Sequence, residues 1–264
     1  MKTITYYLRA IPTLLFGIKN PIAIVAASLG QRPILRLTDG LKLRVASLMD
    51  IWIAKETCLD HDYEVFGCKI EDDWVVVDIG AAFGDFVAHT AFHHPKTKVI
   101  AFEPFAKAFA LLRENIALNQ LHNVTIFDKA VSSSAGKLVV TQTGAAVQHT
   151  TRPAENGAAD SALVVDAITL NDIFKLANID HINFLKVDCE GAEFDIFLNT
   201  NAVELSQIDH ICLEYHDNAT PHHHSALVNH FKQYGFEVKT QQNPVHSHLG
   251  FLYAQRSRLE KSHS

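Results

Sequence analysis

Between Trp74 and Ile79 the chain shows no polar alternation: Val75, Val76 and Val77 are β-branched neighbours and Asp78 carries the only charge. A strand with one face in water alternates apolar and polar residues. A continuous β-branched run instead suits a strand covered on both faces, as in a parallel sheet. Parallel neighbours need crossover connections, usually helices, and the sequence supplies them. A glycine-containing turn follows, then a helix from about Asp85 that stops before Pro95. Val99–Phe102 reads as the next strand. Phe105, Ala108, Phe109, Leu112 and Ile116 recur at helical spacing, and Val124–Phe127 reads as a third strand. Ile182–Val187 and Ile211–Glu214 predict the fourth and fifth strands, with a helix near 191–198 between them and another over 224–234. Thr169 with Asp172 reads as a helix N-cap pair. The expected fold is α/β and doubly wound, with a mostly parallel seven-stranded sheet. Residues 235–240 and 250–254 form its C-terminal hairpin, and one of these two strands runs antiparallel at the sheet edge.

Residues 71–256 are read as this domain, 1–70 as an N-terminal extension and 257–264 as a polar tail. In the extension, Ile34–Leu37 and Leu41–Val45 around Thr38-Asp39-Gly40 signal a β-hairpin. Ile51, Trp52, Lys55 and Leu59 predict a helix over 49–59. Residues 137–140 and 163–165 read as short strands, with a surface excursion between them. Residues 4–29 are apolar but broken by Arg9, Pro12 and Lys19-Asn20-Pro21, too short a run to span a bilayer. They are expected either to pack on the main domain as amphipathic helices or to lie on a membrane surface, with Tyr6, Tyr7 and Phe16 at the interface. The four cysteines have no Cys-x-x-Cys pair and read as reduced core thiols of a cytoplasmic protein. A net charge of -6 disfavours nucleic acid as a partner.

In open α/β sheets ligands bind outside the carboxyl ends of the strands. Every core strand delivers an acid there: Asp78, Glu103, Asp128, Asp188 with Glu190 two residues on, and Glu214 with His216 two residues on. Gly80 and Gly84 in the first turn are expected to let the backbone approach a ligand closely. Glu103, at the next strand end, suits the two hydroxyls of a ribose.

Asp78-Ile79-Gly80-Ala81-Ala82-Phe83-Gly84 resembles the D-x-G-x-x-x-G turn of class I methyltransferases, and Phe102-Glu103-Pro104 their acidic second-strand motif. Lys186-Val187-Asp188-Cys189-Glu190-Gly191-Ala192-Glu193 is similar to the K-x-D-x-E-G-x-E signature of the FkbM family. The likeness covers roughly residues 75–216. Where the family often has Asn in the first turn, this chain has Ala82. The resemblance implies S-adenosylmethionine as cofactor and O-methylation of sugar or polyketide-type hydroxyls. It implies that Asp78, Gly80, Phe83 and Gly84 line the methionine and ribose region and that Glu103 holds the ribose. Phe102, Pro104 and Ala130 would border the adenine, with Asp128 near its amino group.

Methyl transfer to an alcohol needs alignment and a nearby base. Asp188, Glu190 and His216 are the catalytic candidates, with Glu214 beside them, and His216 has the most suitable unperturbed pKa. Asp188 could equally orient the cofactor's ammonium. The same four side chains offer ligands to Mg²⁺ or Mn²⁺, a secondary reading; no metal is assigned. Glu56 and Tyr63 are candidates to cover the cofactor. The acceptor, a small molecule or glycan, is expected against residues 137–168, 216–224 and the extension. Two other readings fit the same turn: a nicotinamide-dinucleotide oxidoreductase, although Asp78 stands where its first glycine belongs, and a cofactor-binding module without catalysis.

Overall fold

The computed structural model describes residues 2–142, 149–153 and 163–257. Its N-terminal elements are α1 (Lys2–Gly17), α2 (Ile22–Ser28), the antiparallel pair β1 (Ile34–Arg36) and β2 (Lys42–Arg44), and α3 (Leu48–Ala54). The helix expected to run to residue 59 changes at Lys55 into a π-helical turn, Lys55–Leu59, before α4 (Asp62–Phe66). Ser47 caps α3 by accepting from Asp50 N.

The central elements follow as β3 (Val75–Ile79), α5 (Asp85–His93), β4 (Lys98–Phe102), α6 (Ala106–Leu118) and β5 (Val124–Phe127). Then come β6 (Ala130–Val131), β7 (Gly136–Gln142), β8 (His149–Pro153), β9 (Leu163–Ile168) and α7 (Leu170–Leu176). The last group is β10 (Ile182–Val187), α8 (Ala192–Leu198), α9 (Ala202–Ser206), β11 (Ile208–His216), α10 (His224–Gln233), β12 (Phe236–Gln242) and β13 (Leu249–Arg256).

Seven strands form the main sheet in the order β12-β13-β11-β10-β3-β4-β5. The five from β11 to β5 are parallel, as the alternation of strands and helices predicts. The C-terminal hairpin corrects one expectation. Its antiparallel member, β13, lies between β11 and β12, and β12 takes the edge. Side chains alternate between two covered faces. Val77, Ile100, Leu185 and Leu213 pack with Ile173, Phe194 and Phe231 on one. Val76, Val99, Phe184 and Cys212 pack with Phe86 and Leu112 on the other. Thr169 and Asp172 form the capping box of α7. Residues 137–168 depart from expectation more. Strands β6, β9, β7 and β8 build a second four-stranded sheet, so Pro153 belongs to a strand rather than to a surface excursion. The rest of that excursion, 143–148 and 154–162, lies outside the described residues.

The N-terminal elements have a hydrophobic cluster of their own, with Leu35, Leu37, Leu41, Leu43 and Ile51 buried. It is closed by Phe83, Ala88 and Leu111 from the main domain. Polar contacts hold the seam. Asn115, fully buried on α6, accepts from Arg44 N at 2.6 Å and donates to Arg44 O at 3.2 Å and Phe83 O at 2.8 Å. One turn on, Asn119 makes the same reciprocal pair with Lys42. The two amides stand in for a neighbouring strand along the open edge of β2.

Candidate active site

Strand register brings the strand-end acids together. Lys186 on β10 lies directly across from Asp78 on β3, so their side chains leave the sheet on the same face. Lys186 Nζ sits 2.9 Å from Asp78 Oδ1 in a fully buried ion pair and donates to Gly80 O at 2.9 Å. Burial pushes the Asp78 carboxyl upward against the pull of Lys186, and Asp78 Oδ2 has no hydrogen-bond partner. The Lys186 ammonium overcomes its own burial because Asp78, Asp188 and Asp85 surround it.

The turn after β3 is held by Gly80 N and Ala81 N, both donating to Phe102 O. Gly80 has φ 82°, and a Cβ there would collide with the Asp188 carbonyl. A Cβ at Gly84 would meet Leu112. Both glycines are thus required by the protein's own packing, not only by a ligand as expected from sequence. Ala82 adopts φ 45°, a left-handed conformation that Asn tolerates better than Ala. Glu103, 3% exposed, accepts from Ala82 N and Phe105 N, each at 2.8 Å. Burial raises it to about 7 despite those two amides.

On the other side of β3, Tyr63 donates to Asp188 Oδ2 at 3.2 Å, and its ring lies under the Lys186 ammonium. Glu190 adopts φ 55° ahead of Gly191, whose own φ of 106° and contact with Ala219 exclude a side chain. His216, 3% exposed, is clasped by two carboxylates: Nε2 lies 3.2 Å from Glu190 Oε2 and Nδ1 3.1 Å from Glu193 Oε1. Burial opposes its charge, but the bond to Glu193 and the charges of Glu193, Asp188 and Glu190 lift it to about 10. Burial and neighbouring Asp188 push Glu190 and Glu214 upward, with His216 pulling both the other way.

Several expectations change here. The carboxylates on both sides of His216 favour its charged form, which counts against the role of base that its ordinary pKa suggests. Phe83 is buried in the N-terminal cluster, so its side chain turns away from the strand ends. Phe102 is fully buried, stacked on Phe127 at 5.1 Å, and borders nothing outside the core. Asp128 is exposed and directly follows Phe127, which pairs with Phe102 and accepts from Glu103 N, so it stays on the rim beside Glu103. Pro104 is partly buried and Ala130 packs with Leu138, Val165 and Ala167. Glu56 accepts from Trp52 Nε1 at 2.8 Å. Asp188, Glu190 and His216 bring donor atoms within 4.8 Å of one another, but an ion there would compete with the proton on His216. Sequence reasoning gave no role to Lys186 or Glu193. Both stand inside the 186–193 motif, and their signal was a charge on a strand or helix otherwise wholly apolar at that face. Glu193 is fully buried and also accepts from Gly191 N at 2.8 Å and His216 N at 2.9 Å. It braces the loop after β10 against the end of β11.

A parallel sheet with one reversed strand beside its edge, carrying acids at successive strand ends, defines the class: this is a class I S-adenosylmethionine-dependent methyltransferase. Residues 78–238 match the model described as "Methyltransferase FkbM domain". The chain belongs to the FkbM methyltransferase family. It is 24% identical over 222 residues to the 31-O-demethyl-FK506 methyltransferase FkbM of Streptomyces tacrolimicus, covering 74% of this chain and 84% of that one. It is 24% identical over 206 residues to the hexuronic acid methyltransferase AglP of Haloferax volcanii, covering 76% and 82%. A match at 25% identity to the AMB antimetabolite synthetase AmbE of Pseudomonas aeruginosa covers 74% of this chain but 11% of that much longer protein. The crystal structure of methyltransferase FkbM from Methylobacillus flagellatus shares the fold, with a TM-score of 0.52 at 15% identity over 89% of this chain and 59% of that one.

Proposed function

We propose that the protein methylates a hydroxyl of a sugar, glycan or polyketide-like acceptor, and that the reaction centre lies between Asp188, Glu190 and Glu214. The observation that carries this reading is the pair Glu190, just past β10, and Glu214, near the end of β11, whose carboxyls burial and the charge of Asp188 raise to about 7 and about 8. A carboxylate tuned that way can take an alcohol's proton near neutral pH. The acceptor chemistry is supported by relatives whose names specify a hexuronic acid and an O-demethyl macrolide.

The residues fit the cofactor. Asp78 Oδ2 is buried and unpartnered, and Glu103, bound by two amides, keeps lone pairs for two hydroxyls. Asp78, Gly80, Gly84, Glu103, Pro104 and Ala130 are assigned to its binding. When bound, S-adenosylmethionine supplies an electrophilic methyl group on a good leaving group. Lys186 and Tyr63 hold Asp78 and Asp188 at the inner rim. His216, kept charged by Glu193, orients Glu190. Glu190 or Glu214 receives the acceptor's proton. The acceptor enters beside the second sheet and α4.

The same proposal extends to a surface. Ile11, Leu15 and Phe16 on α1, Ile22 and Val25 on α2 and Leu29 just after it are exposed, Phe16 by 80% and Leu29 by 71%. The side chains of residues 2–9, including Tyr6 and Tyr7, lie outside the described residues. Among the described residues no helix is long and apolar enough to cross a membrane. We assign this apolar face to peripheral contact with a lipid surface.

The test is turnover with S-adenosylmethionine on uronic-acid glycans and macrolide alcohols, read as a one-methyl mass gain. Glu190→Gln and Glu214→Gln should each leave cofactor binding within about threefold, and one of them should lower kcat by about 10²–10⁴. Cofactor binding with no turnover on any hydroxylated acceptor would return the chain to a binding role.

A further inference from the structure

Five side chains meet away from the strand ends, where the N-terminal elements press on α5. They are Asp39 from the β1–β2 turn, His61 and Glu64 at the start of α4, and His89 and His93, four residues apart on α5. The methyl-transfer reading uses none of them.

His89 is at the centre and is 4% exposed. Its Nε2 lies 3.1 Å from His61 Nδ1 and 3.7 Å from Glu64 Oε1. Also beside it is His93, its ring centroid 4.6 Å away. Asp39 Oδ2 is in turn 2.9 Å from His93 Nε2. Asp39, His89 and His93 offer three donor atoms all within 4.8 Å of one another. His89 Nδ1 is buried with no hydrogen-bond partner. In either tautomer that leaves a buried polar atom unsatisfied, which proteins avoid. With Nε2 turned to His61 and Glu64, Nδ1 is the atom His89 has left for Asp39 and His93.

We propose that Asp39, His89 and His93 bind a divalent transition-metal ion of the zinc class, through Oδ2, Nδ1 and Nε2 respectively. The i, i+4 spacing puts both imidazoles on one helix face, as in known helical zinc ligand pairs. Two imidazoles and one carboxylate suit zinc and leave a fourth position for water. Giving Nδ1 to the ion frees the Nε2 hydrogen to be donated to His61 Nδ1. A metal-bound imidazole is usually oriented by just such an outer hydrogen bond. The ion ties the β1–β2 turn to the helix that leaves the cofactor turn.

The test is calorimetric titration of the chelator-stripped full chain with zinc chloride. All samples carry His223→Ala and His224→Ala, because those two with Asp217 form a second surface cluster able to hold an ion. One equivalent should bind at micromolar affinity or tighter and raise the thermal midpoint. Asp39→Asn and His93→Ala, both at partly exposed positions, should each remove that equivalent or weaken it at least tenfold and cancel the thermal shift. His61→Ala should weaken it while preserving the stoichiometry. Zinc binding untouched by Asp39→Asn and His93→Ala overturns the proposal, including a result in which His61→Ala alone abolishes it. So does binding no stronger than that of the Asp39→Asn/His93→Ala double variant.

Discussion

Glu103 carries its charge question in its surroundings. Burial lifts it to about 7, and two backbone amides are its only donors in the described structure. Ribose hydroxyls would add donors to the ionised form and favour it. Cofactor affinity should therefore rise with pH, about tenfold between pH 6 and 8, the change in ionised fraction for a pKa near 7. Calorimetric titration across that range checks it, and Glu103→Gln should bind more weakly with a flatter profile. Stability of the free protein runs the other way. A carboxyl with a raised folded-state pKa binds protons more tightly in the native state. Its contribution is greatest below the ordinary carboxylate pKa and is lost as pH rises through about 7. Ala82 belongs at this scale too. The motif made it legible as a departure, but its φ of 45° could be seen only in the folded turn.

Among the elements, α6 does work that its apolar spacing conceals. Asn115 and Asn119 fall beside the Phe109–Leu112–Ile116 stripe and would be read as its polar margin. In the fold they close the edge of β2. Asn115→Ala leaves Arg44 N–H, Arg44 C=O and Phe83 C=O without their partner. Urea unfolding should show a loss of about 2–4 kcal/mol; Asn119→Ala, partly exposed and with fewer partners, should cost less. The central strands were readable because they are covered on both faces and so are mostly apolar, most plainly in the unbroken Val75–Val77 run of β3. The second sheet was not. Leu163 and Val164 are exposed, and Gly136 pairs with Ala167 thirty-one residues away, a contact no local pattern reports. The π-turn at Lys55–Leu59 was also hidden, since helical spacing on either side of it looks continuous.

For the whole molecule, the acids at the strand ends were legible because a parallel sheet places successive carboxyl ends on one rim. Their separate roles were not, because burial and neighbours set each pKa. His216 reads as a base from its unperturbed value, but Glu190 and Glu193 on either side favour its charged form. At the other end of the chain, the apolar face of α1 and α2 should sediment with anionic phospholipid vesicles. Phe16→Ser with Leu29→Ser, both on exposed side chains, should leave the protein in the supernatant with its thermal midpoint unchanged. Vesicle binding that survives the double change would detach this face from the membrane.

The place of β13 also bears on the order in which the sheet is assembled. β12 is made first but bonds to the sheet only through β13, which also flanks Glu214 and His216 on β11. Until residues 249–256 leave the ribosome, β12 has no neighbour to join and β11 is an open edge. The side of the site that holds Glu214 and His216 is thus the last to close, and a chain stopped after residue 248 would forfeit two strands rather than one.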